Sequence, residues 1–488
     1  MIDLKKNETK LKRAVELARK RKIIIPTFKQ MKNPKLIPAK IKEKLKGIGL
    51  EDINPYNLFR ITWKNEPVPK GGLFGDVNYM EIPRELTGVE ARIIALLGKW
   101  FPTGSHKVLA TFGCLVPRLV SGQFDPTQQK AVWPSTGNYC RGGAYVASLL
   151  GCNSIAVLPE EMSKERFEWL SSVAGEVIKT PGGESNVKEI FDKCWELRKE
   201  RKDIVVFNQF DEFGNYLWHY AITGEAALEV LRKALTTKER FAGFIASSGS
   251  AGTVSGCGDF LKENFPETKI AVAEALQCPT LLLNGFGDHR IEGIGDKHVP
   301  WIHNVRNTDM VIAVDDNDCL NLIKLCNEPP GKAFLKKQGL SESAINNLSL
   351  MGISSAANLL AAIKFSKYFE LSSRDLILTV FTDSMDLYES RLHELRAQYG
   401  KYSEFDAVKD YNRSLLAVNI DHMLELNYYD RKRIHNLKYF TWIEQHGRDV
   451  DELNAQWHDY PNYWKTIQSK QYYIDNLIHQ FNEKNFSP

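Results

Sequence analysis

No stretch of eighteen or more consecutive apolar residues occurs in this chain, so nothing in it has the length and composition of a membrane-spanning helix. The first thirty residues lack an apolar core followed by small residues at a cleavage site, and a secretory leader is not expected. The eight cysteines contain no C-x-x-C pair and no regular spacing; they are expected to be reduced, mostly buried thiols of a cytoplasmic protein. Eleven histidines show no H-E-x-x-H or comparable spacing, so no metal site is expected. Charge of one sign is not in excess either: 64 Lys and Arg against 60 Asp and Glu leave +4, too balanced to imply a nucleic-acid partner. The locally basic N-terminus (Lys5, Lys6, Lys10, Lys12, Arg13) is read as a solvated helix face. No internal repeat or low-complexity tract stands out.

What is present is ordinary globular composition, 43% hydrophobic and 25% charged over 488 residues, which is enough chain for two domains and extensions. Residues 1–75 are Lys- and Pro-rich, with a helix expected over Leu4 to Lys20 and loops around the prolines, and are taken as an extension wrapping the body. From about residue 85, short apolar runs alternate with amphipathic segments. Ile155–Leu158, Ile204–Phe207, Phe244–Ala246, Ile270–Ala273, Val311–Val314 and Leu376–Phe381 read as buried parallel strands, with a further strand at Lys130–Trp133. Helical patterns lie between them over 164–173, 186–199, 224–235 and 354–368. The alternation predicts an α/β architecture with helices on both sheet faces. From about 396 the strands are expected to stop, leaving a helical, aromatic-rich segment that either packs on the body or meets a second subunit.

Four motifs carry chemistry. Lys107 ends Pro102-Thr103-Gly104-Ser105-His106-Lys107 and is followed by apolar Val108-Leu109-Ala110, so it sits in a cleft, where burial lowers an amine's pKa and makes it nucleophilic toward a carbonyl. Ser135-Thr136-Gly137-Asn138 lies between a strand and a helix; it is a plain capped turn or an anion-binding one. Gly249-Ser250-Ala251-Gly252-Thr253 joins a strand to a helical pattern beginning near Gly256, where backbone N–H groups and the helix dipole favour phosphate. No Gly-Lys-Ser/Thr follows, so it is not a P-loop, and Gly249, Gly252 and Gly256 do not give G-x-G-x-x-G. Ser248-Gly249-Ser250-Ala251-Gly252 comes close to a nucleophile elbow, but a serine stands at its first glycine, leaving a cofactor-free serine hydrolase on Ser250 as a rival. Finally, a strand ends in Thr382-Asp383-Ser384.

In this order the motifs resemble those of the fold-type II pyridoxal-phosphate enzymes, the superfamily of cysteine synthase, cystathionine β-synthase and the tryptophan synthase β-subunit, over roughly Gly75 to Leu395. His219–Glu225, Ile291–Gly295 and Gly352–Ser355 agree further. The resemblance implies two doubly wound, mostly parallel sheet domains of tryptophan synthase β-like form, at 76–210 and 211–395, with helical extensions at 1–75 and 396–488. It implies that Lys107 carries the cofactor as an aldimine and serves as general base. Residues Gly249, Ser250, Ala251, Gly252 and Thr253 would cradle the phosphate, and Asn138 would face the phenolic oxygen. Ser384 would face the pyridine nitrogen, while Ser135, Thr136, Gly137 and Gln209 would hold the substrate carboxylate.

The implied activity is lyase or β-replacement chemistry on a small α-amino acid, through an aminoacrylate, since a hydroxyl at the ring nitrogen does not keep it protonated. Val108-Leu109 replaces the Asp-Arg common after the lysine of cysteine synthases, and bulky Tyr139 follows Asn138. With the long extensions, these departures look like a longer lyase/thiolase subgroup, for which a thiolase acting on a γ-keto amino acid with coenzyme A and a small partner subunit is the alternative. A cytoplasmic homodimer is expected. Cys140 and Cys257 are read as small buried hydrophobes rather than nucleophiles.

Overall fold

The computed structural model describes residues 1–67, 70–135, 137–162, 164–183 and 186–486. Among these, eleven strands form two sheets. The strands are β1 (Tyr79–Ile82), β2 (Arg92–Leu97), β3 (Lys130–Pro134), β4 (Ser154–Pro159), β5 (Glu176–Thr180), β6 (Ile204–Val206), β7 (Arg240–Ser247), β8 (Lys269–Ala275), β9 (Met310–Val314), β10 (Asp375–Phe381) and β11 (Met423–Glu425). The smaller sheet runs β5-β4-β3-β6 and is parallel throughout. The larger runs β1-β2-β10-β7-β8-β9-β11, parallel except at its two antiparallel edges. Every residue of β4 and of β10 is buried, which is why these strands read as unbroken apolar runs rather than alternations.

The seven expected strands all form, and four others were not read from the sequence. β2 is apolar enough (Ile93 to Leu97 are buried), but its pairing with distant β10 sets its type. β1 and β11 are edge strands of four and three residues, too short to show a period. β11 corrects the expectation that strands end near 396: it pairs with β9 and covers that edge of the large sheet. β1 and β2 also join the large sheet, although they fall within the expected 76–210 unit; the small sheet is built from 130–206 alone. The first helix spans Glu8–Arg21 rather than starting at Leu4, because the Asn7 side chain caps it by accepting from Lys10 N–H.

Both extensions pack on the body. In the N-terminal one, Asn7 N–H donates to the Ser121 carbonyl at 2.9 Å and Trp63 Nε1–H to Thr223 Oγ1 at 3.0 Å. It also meets the C-terminal helix Asn462–Phe486, where Asn482 bonds both backbone groups of Ile25 and Asp475 accepts from Phe28 N–H. The aromatic tail divides: Trp442, Trp457, Tyr463 and Trp464 are core residues, while Tyr428, Tyr429, Phe440 and Tyr472 are exposed. The eight cysteines are free and buried.

Lys107 opens the helix Lys107–Val120, which packs against the helices Asn138–Leu149 and Phe213–Trp218. The second contact depends on Gly113 and Gly214, since a Cβ on Gly214 would lie 2.1 Å from the Gly113 carbonyl oxygen. Backbone cannot yield there as a flexible side chain would. Gly214→Ala is therefore expected to destabilise the protein by about 1–3 kcal/mol, the usual cost of overpacking, seen as a lower denaturation midpoint; an unchanged midpoint would show that the helix pair can separate freely.

Candidate active site

Three of the four motifs leave the carboxyl ends of parallel strands: 135–138 follows β3, 248–253 follows β7 and 382–384 follows β10, while Gln209 follows β6. Loops at that end of an open α/β sheet are where ligands bind. Lys107 reaches them from a turn in which Thr103 (φ 69°) and Gly104 (φ 68°) both adopt the left-handed region. Ser105 then pairs with Asp383 in an isolated antiparallel bridge, and His106 N–H donates to the Thr382 carbonyl at 3.1 Å. Thus the end of β10 fixes where the lysine emerges.

The Lys107 ammonium bonds Gln209 Oε1 at 3.3 Å and Ser250 Oγ at 3.5 Å. The cleft around it is tight, about 20 Å³, and is lined also by Ser135, Gly137, Asn138 and Gly249. Asn215 ties its floor together, donating from Nδ2 to the Gln209 carbonyl at 3.0 Å and to Ser250 Oγ at 2.9 Å. A larger cavity of about 640 Å³, lined by Glu161, Glu292 and Arg391 among others, does not contain the lysine. The small cleft is the candidate site because the side chains of three separated motifs converge in it.

The glycine loop differs from expectation in one respect: its helix starts at Gly252, directly after Ala251 in the left-handed region (φ 59°), and runs to Asn264. The loop thus ends on a helix N-terminus. Among the described residues no acceptor takes the N–H groups of Ala251, Gly252 and Thr253, and unfilled donors at a positive dipole end suit a phosphate. Space beside the loop is reserved for backbone, since a Cβ on Gly249 would meet the Gly293 carbonyl oxygen at 2.8 Å and one on Gly252 would meet Asn215 Oδ1 at 2.2 Å.

Thr253 faces two histidines, with His106 Nε2 at 3.0 Å and His219 Nε2 at 3.4 Å. Burial, with the Lys107 charge adding to it, pushes His106 down to about 3 and His219 well below its ordinary value, so both rings are neutral. His106 therefore turns to the underside of the loop and to the Thr382 carbonyl (3.3 Å from Nδ1). Neither imidazole bonds Ser250, whose hydroxyl partners are Asn215 and Lys107, so the Ser–His pair of a triad hydrolase is not assembled among the described residues.

Asn138 is the first residue of its helix rather than its cap, which is Gly137. Its Nδ2 donates to Asp383 Oδ2 at 2.6 Å, while its Oδ1 is buried with no partner among the described residues. Ser135 Oγ accepts from Gly137 N–H at 3.2 Å. Thr136 lies outside the described residues. Ser384 is buried at the end of β10, next to Asp383, and is not among the residues lining the small cleft. Cys140 and Cys257 are buried, and burial raises both thiols far above the ordinary range, which keeps them protonated.

Several residues the sequence reading missed complete the site. Arg166, 1% exposed, pairs with Glu292 at 2.5 Å and contacts the Tyr388 hydroxyl at 3.4 Å. Glu292 also accepts from Arg391 Nε at 2.6 Å. Arg166 lies directly against the loop, since a Cβ on Gly137 would meet its Nη1 at 2.5 Å. Burial pushes the Asp383 carboxyl up to about 6, against the pull of the Tyr388 hydroxyl, Arg166 and Asn138. The available signal was Asp383 itself, an acid at the end of an apolar strand and one residue before the serine that drew attention.

A family model described as pyridoxal-phosphate dependent enzyme matches residues 80–332. Cysteine synthase B of Campylobacter jejuni is 31% identical over 289 residues, 59% of this chain and 87% of that protein. Cystathionine beta-synthase of Saccharomyces cerevisiae is 26% identical over 316 residues, 63% of this chain and 59% of the yeast protein. Among solved structures, a hydrogen sulfide-producing enzyme from Fusobacterium nucleatum superposes with a TM-score of 0.55 at 25% identity, covering 64% of this chain and 96% of that one. The family match ends before β10.

Proposed function

This chain belongs to the pyridoxal-phosphate dependent enzymes, and from that premise we propose that it catalyses β-elimination or β-replacement on a small α-amino acid, with Lys107 as its central residue. The observation that carries this reading is the convergence of Lys107, Gln209 and Ser250 in one cleft, with Asn138 in its lining. The residues fit the cofactor: unfilled N–H donors at 251–253 stand ready for a phosphate, and Asn138 keeps an open buried oxygen. When bound, pyridoxal phosphate supplies an electron sink for the pair left on the substrate's α-carbon.

The chain's own residues do the rest. Lys107 would hold the cofactor at its carbonyl carbon and would take the substrate's α-proton as general base. Gln209 and Ser250, within 3.5 Å of Nζ, keep the amine in place. Residues 249–253 would hold the phosphate. Ser135 and Gly137, at the N-terminus of the helix that begins at Asn138, would receive the substrate carboxylate together with Gln209, a role also assigned to Thr136. Asn138 would meet the phenolic oxygen and Ser384 the ring nitrogen. Arg166, held by Glu292, lines the cleft and would help to keep water from the reacting α-carbon.

The relatives named above act in sulfur amino-acid chemistry, which supports an activated serine or cysteine derivative as the substrate. We further assign the protein to the cytoplasm as a homodimer; the eight free cysteines support the first, and the exposed Tyr428, Tyr429 and Phe440 support the second.

The test is the absorption spectrum of the purified protein against a panel of amino acids, with and without thiols. A violet band abolished by borohydride, which changes with an O- or S-substituted β-carbon amino acid and yields pyruvate and ammonia, or a new thioether with added thiol, is the expected result. A violet band that no amino acid perturbs would sink the proposal. Acyl-thioester formation from a γ-keto amino acid would replace it with thiolase chemistry.

A further inference from the structure

The loop that leaves the rim of the cleft after Asp296 is gripped from two sides. On one side the carbonyl oxygens of Val299, Trp301 and His303 all accept from the C-terminal extension. Trp442 Nε1–H donates to the first at 2.8 Å, and the Lys438 ammonium to the second and third at 2.9 and 2.7 Å. The alternate N–H groups turn toward the site. Ile302 N–H donates at 3.3 Å to the carbonyl of Phe210, which lines the cleft beside Gln209. Asn304 N–H donates to Ser255 Oγ at 3.0 Å, and Asn304 Nδ2 to the Asp259 carboxylate at 2.8 Å. Ser255 and Asp259 belong to the helix Gly252–Asn264, which opens directly on the glycine loop. Lys438 ends the helix Tyr428–Lys438, is wholly buried, and makes its third bond to Gln456 Oε1 at 2.8 Å. Among the described residues no carboxylate pairs with it, so neutral oxygens alone hold the charge. Methionine or leucine would fill the same space without the penalty of burying an ammonium. What the ammonium adds is position: it has donors only, and the three oxygens that converge on it are fixed relative to one another.

We propose that Lys438 is a positioning residue through which the C-terminal extension sets the affinity of the glycine loop for the cofactor's phosphate. The inference rests on the placement of that phosphate at residues 249–253 made above. Drawing the Trp301 and His303 carbonyls onto one ammonium fixes Asn304, the next residue along. Asn304 in turn holds the phosphate-side helix at Ser255, in its first turn, and again at Asp259. The N–H groups of Ala251, Gly252 and Thr253 then converge on one place before anything binds, and a site ordered in advance loses less entropy on binding. Lys438 thereby acts on a ligand that it does not touch.

The experiment measures the dissociation constants of pyridoxal phosphate and of pyridoxal from the full chain, at a temperature where each variant is folded by circular dichroism. Lys438→Met keeps the length of the side chain and removes its donors. Its constant for pyridoxal phosphate is expected to rise about tenfold, within the range by which residues outside a site modulate coupling. Its constant for pyridoxal, which has no phosphate, should change by less than about twofold. Asn304→Ala breaks the other half of the link and should weaken pyridoxal phosphate to a similar extent. Because both act through one loop, the double variant should lose about tenfold rather than about a hundredfold. Asn482→Ala loosens the two extensions from each other without touching the loop, and should stay within about twofold of the parent. A folded Lys438→Met protein with the parent constant would overturn the proposal, whatever its denaturation midpoint, as would an equal loss for pyridoxal or losses that add in the double variant. If Lys438→Met does not fold, Asn304→Ala decides alone, and a parent constant there overturns the proposal. Equal affinity of the unsubstituted protein for pyridoxal and pyridoxal phosphate would instead sink the placement of the phosphate, so the two failures are distinct.

Discussion

Lys107→Ala is expected to leave a folded protein whose turnover is lower by about 10⁴-fold, the upper end of what one positioned acid–base group contributes. The cost to stability is small for local reasons. Position 107 is the first of its helix, where alanine is a better helix former than lysine. The side-chain bonds to Gln209 at 3.3 Å and Ser250 at 3.5 Å that are lost with it are long. Ser250 keeps Asn215 as a partner, so removing the amine leaves that hydroxyl satisfied. What disappears is chemistry: the attachment for the cofactor and the base for the α-proton are the same nitrogen. Steady-state kinetics beside a denaturation curve separate the two effects. Partial rescue of turnover by a small added primary amine would show that a nitrogen at this place, and not the helix, was lost. Undiminished turnover in the variant would end the assignment of Lys107.

How much of this was legible in the sequence follows from what each signal depends on. Strands such as β4 and β10 are buried on both faces, so their apolar runs are visible in any one chain. Lys107, Asn138 and the glycine loop were also readable, because each sits in a short motif whose chemistry is local, whereas Gln209 came only with the family resemblance. The edges β1 and β11 were not, since three or four residues take their structure from the neighbour they pair with. The second tier of the site failed for the same reason. Arg166 looks like any charged residue on an amphipathic helix until Glu292, more than a hundred residues later, is brought to 2.5 Å. Asp383 accepts from Asn138, 245 positions away in the chain, and a partner at that separation leaves no local pattern. The onset of the phosphate-side helix was placed near Gly256 rather than Gly252 because glycine and serine weaken the helical period at the very turn that presents the amides.

The second large effect belongs to that hidden tier. Glu292→Gln preserves shape and hydrogen-bonding capacity but removes the carboxylate with which Arg166 is paired. Both side chains are nearly inaccessible, 1% and 4% exposed. Breaking a buried ion pair from one side leaves a charge without its compensation and costs about 3–5 kcal/mol, far above the ~0–1 kcal/mol typical of an exposed pair. Of the contacts that remain to Arg166, those to the Met162 sulfur and the Tyr388 hydroxyl, both at 3.4 Å, are neutral, while the nearby Asp383 carboxylate still feels its charge. Arg391 loses the same partner but keeps Glu394 at 2.6 Å and stays partly exposed, so its share is minor. Chemical denaturation should therefore show a fall of several kcal/mol. Because Arg166 packs against Gly137, the Michaelis constant for the amino acid should rise more than turnover falls. Replacing both partners together, Arg166→Met with Glu292→Met, removes the stranded charge and should recover most of the stability, since a buried pair exchanged for apolar side chains of similar volume is often neutral. If Glu292→Gln alone costs less than about 1 kcal/mol, then water reaches Arg166 in solution, and the wall ascribed to this pair does not exclude it.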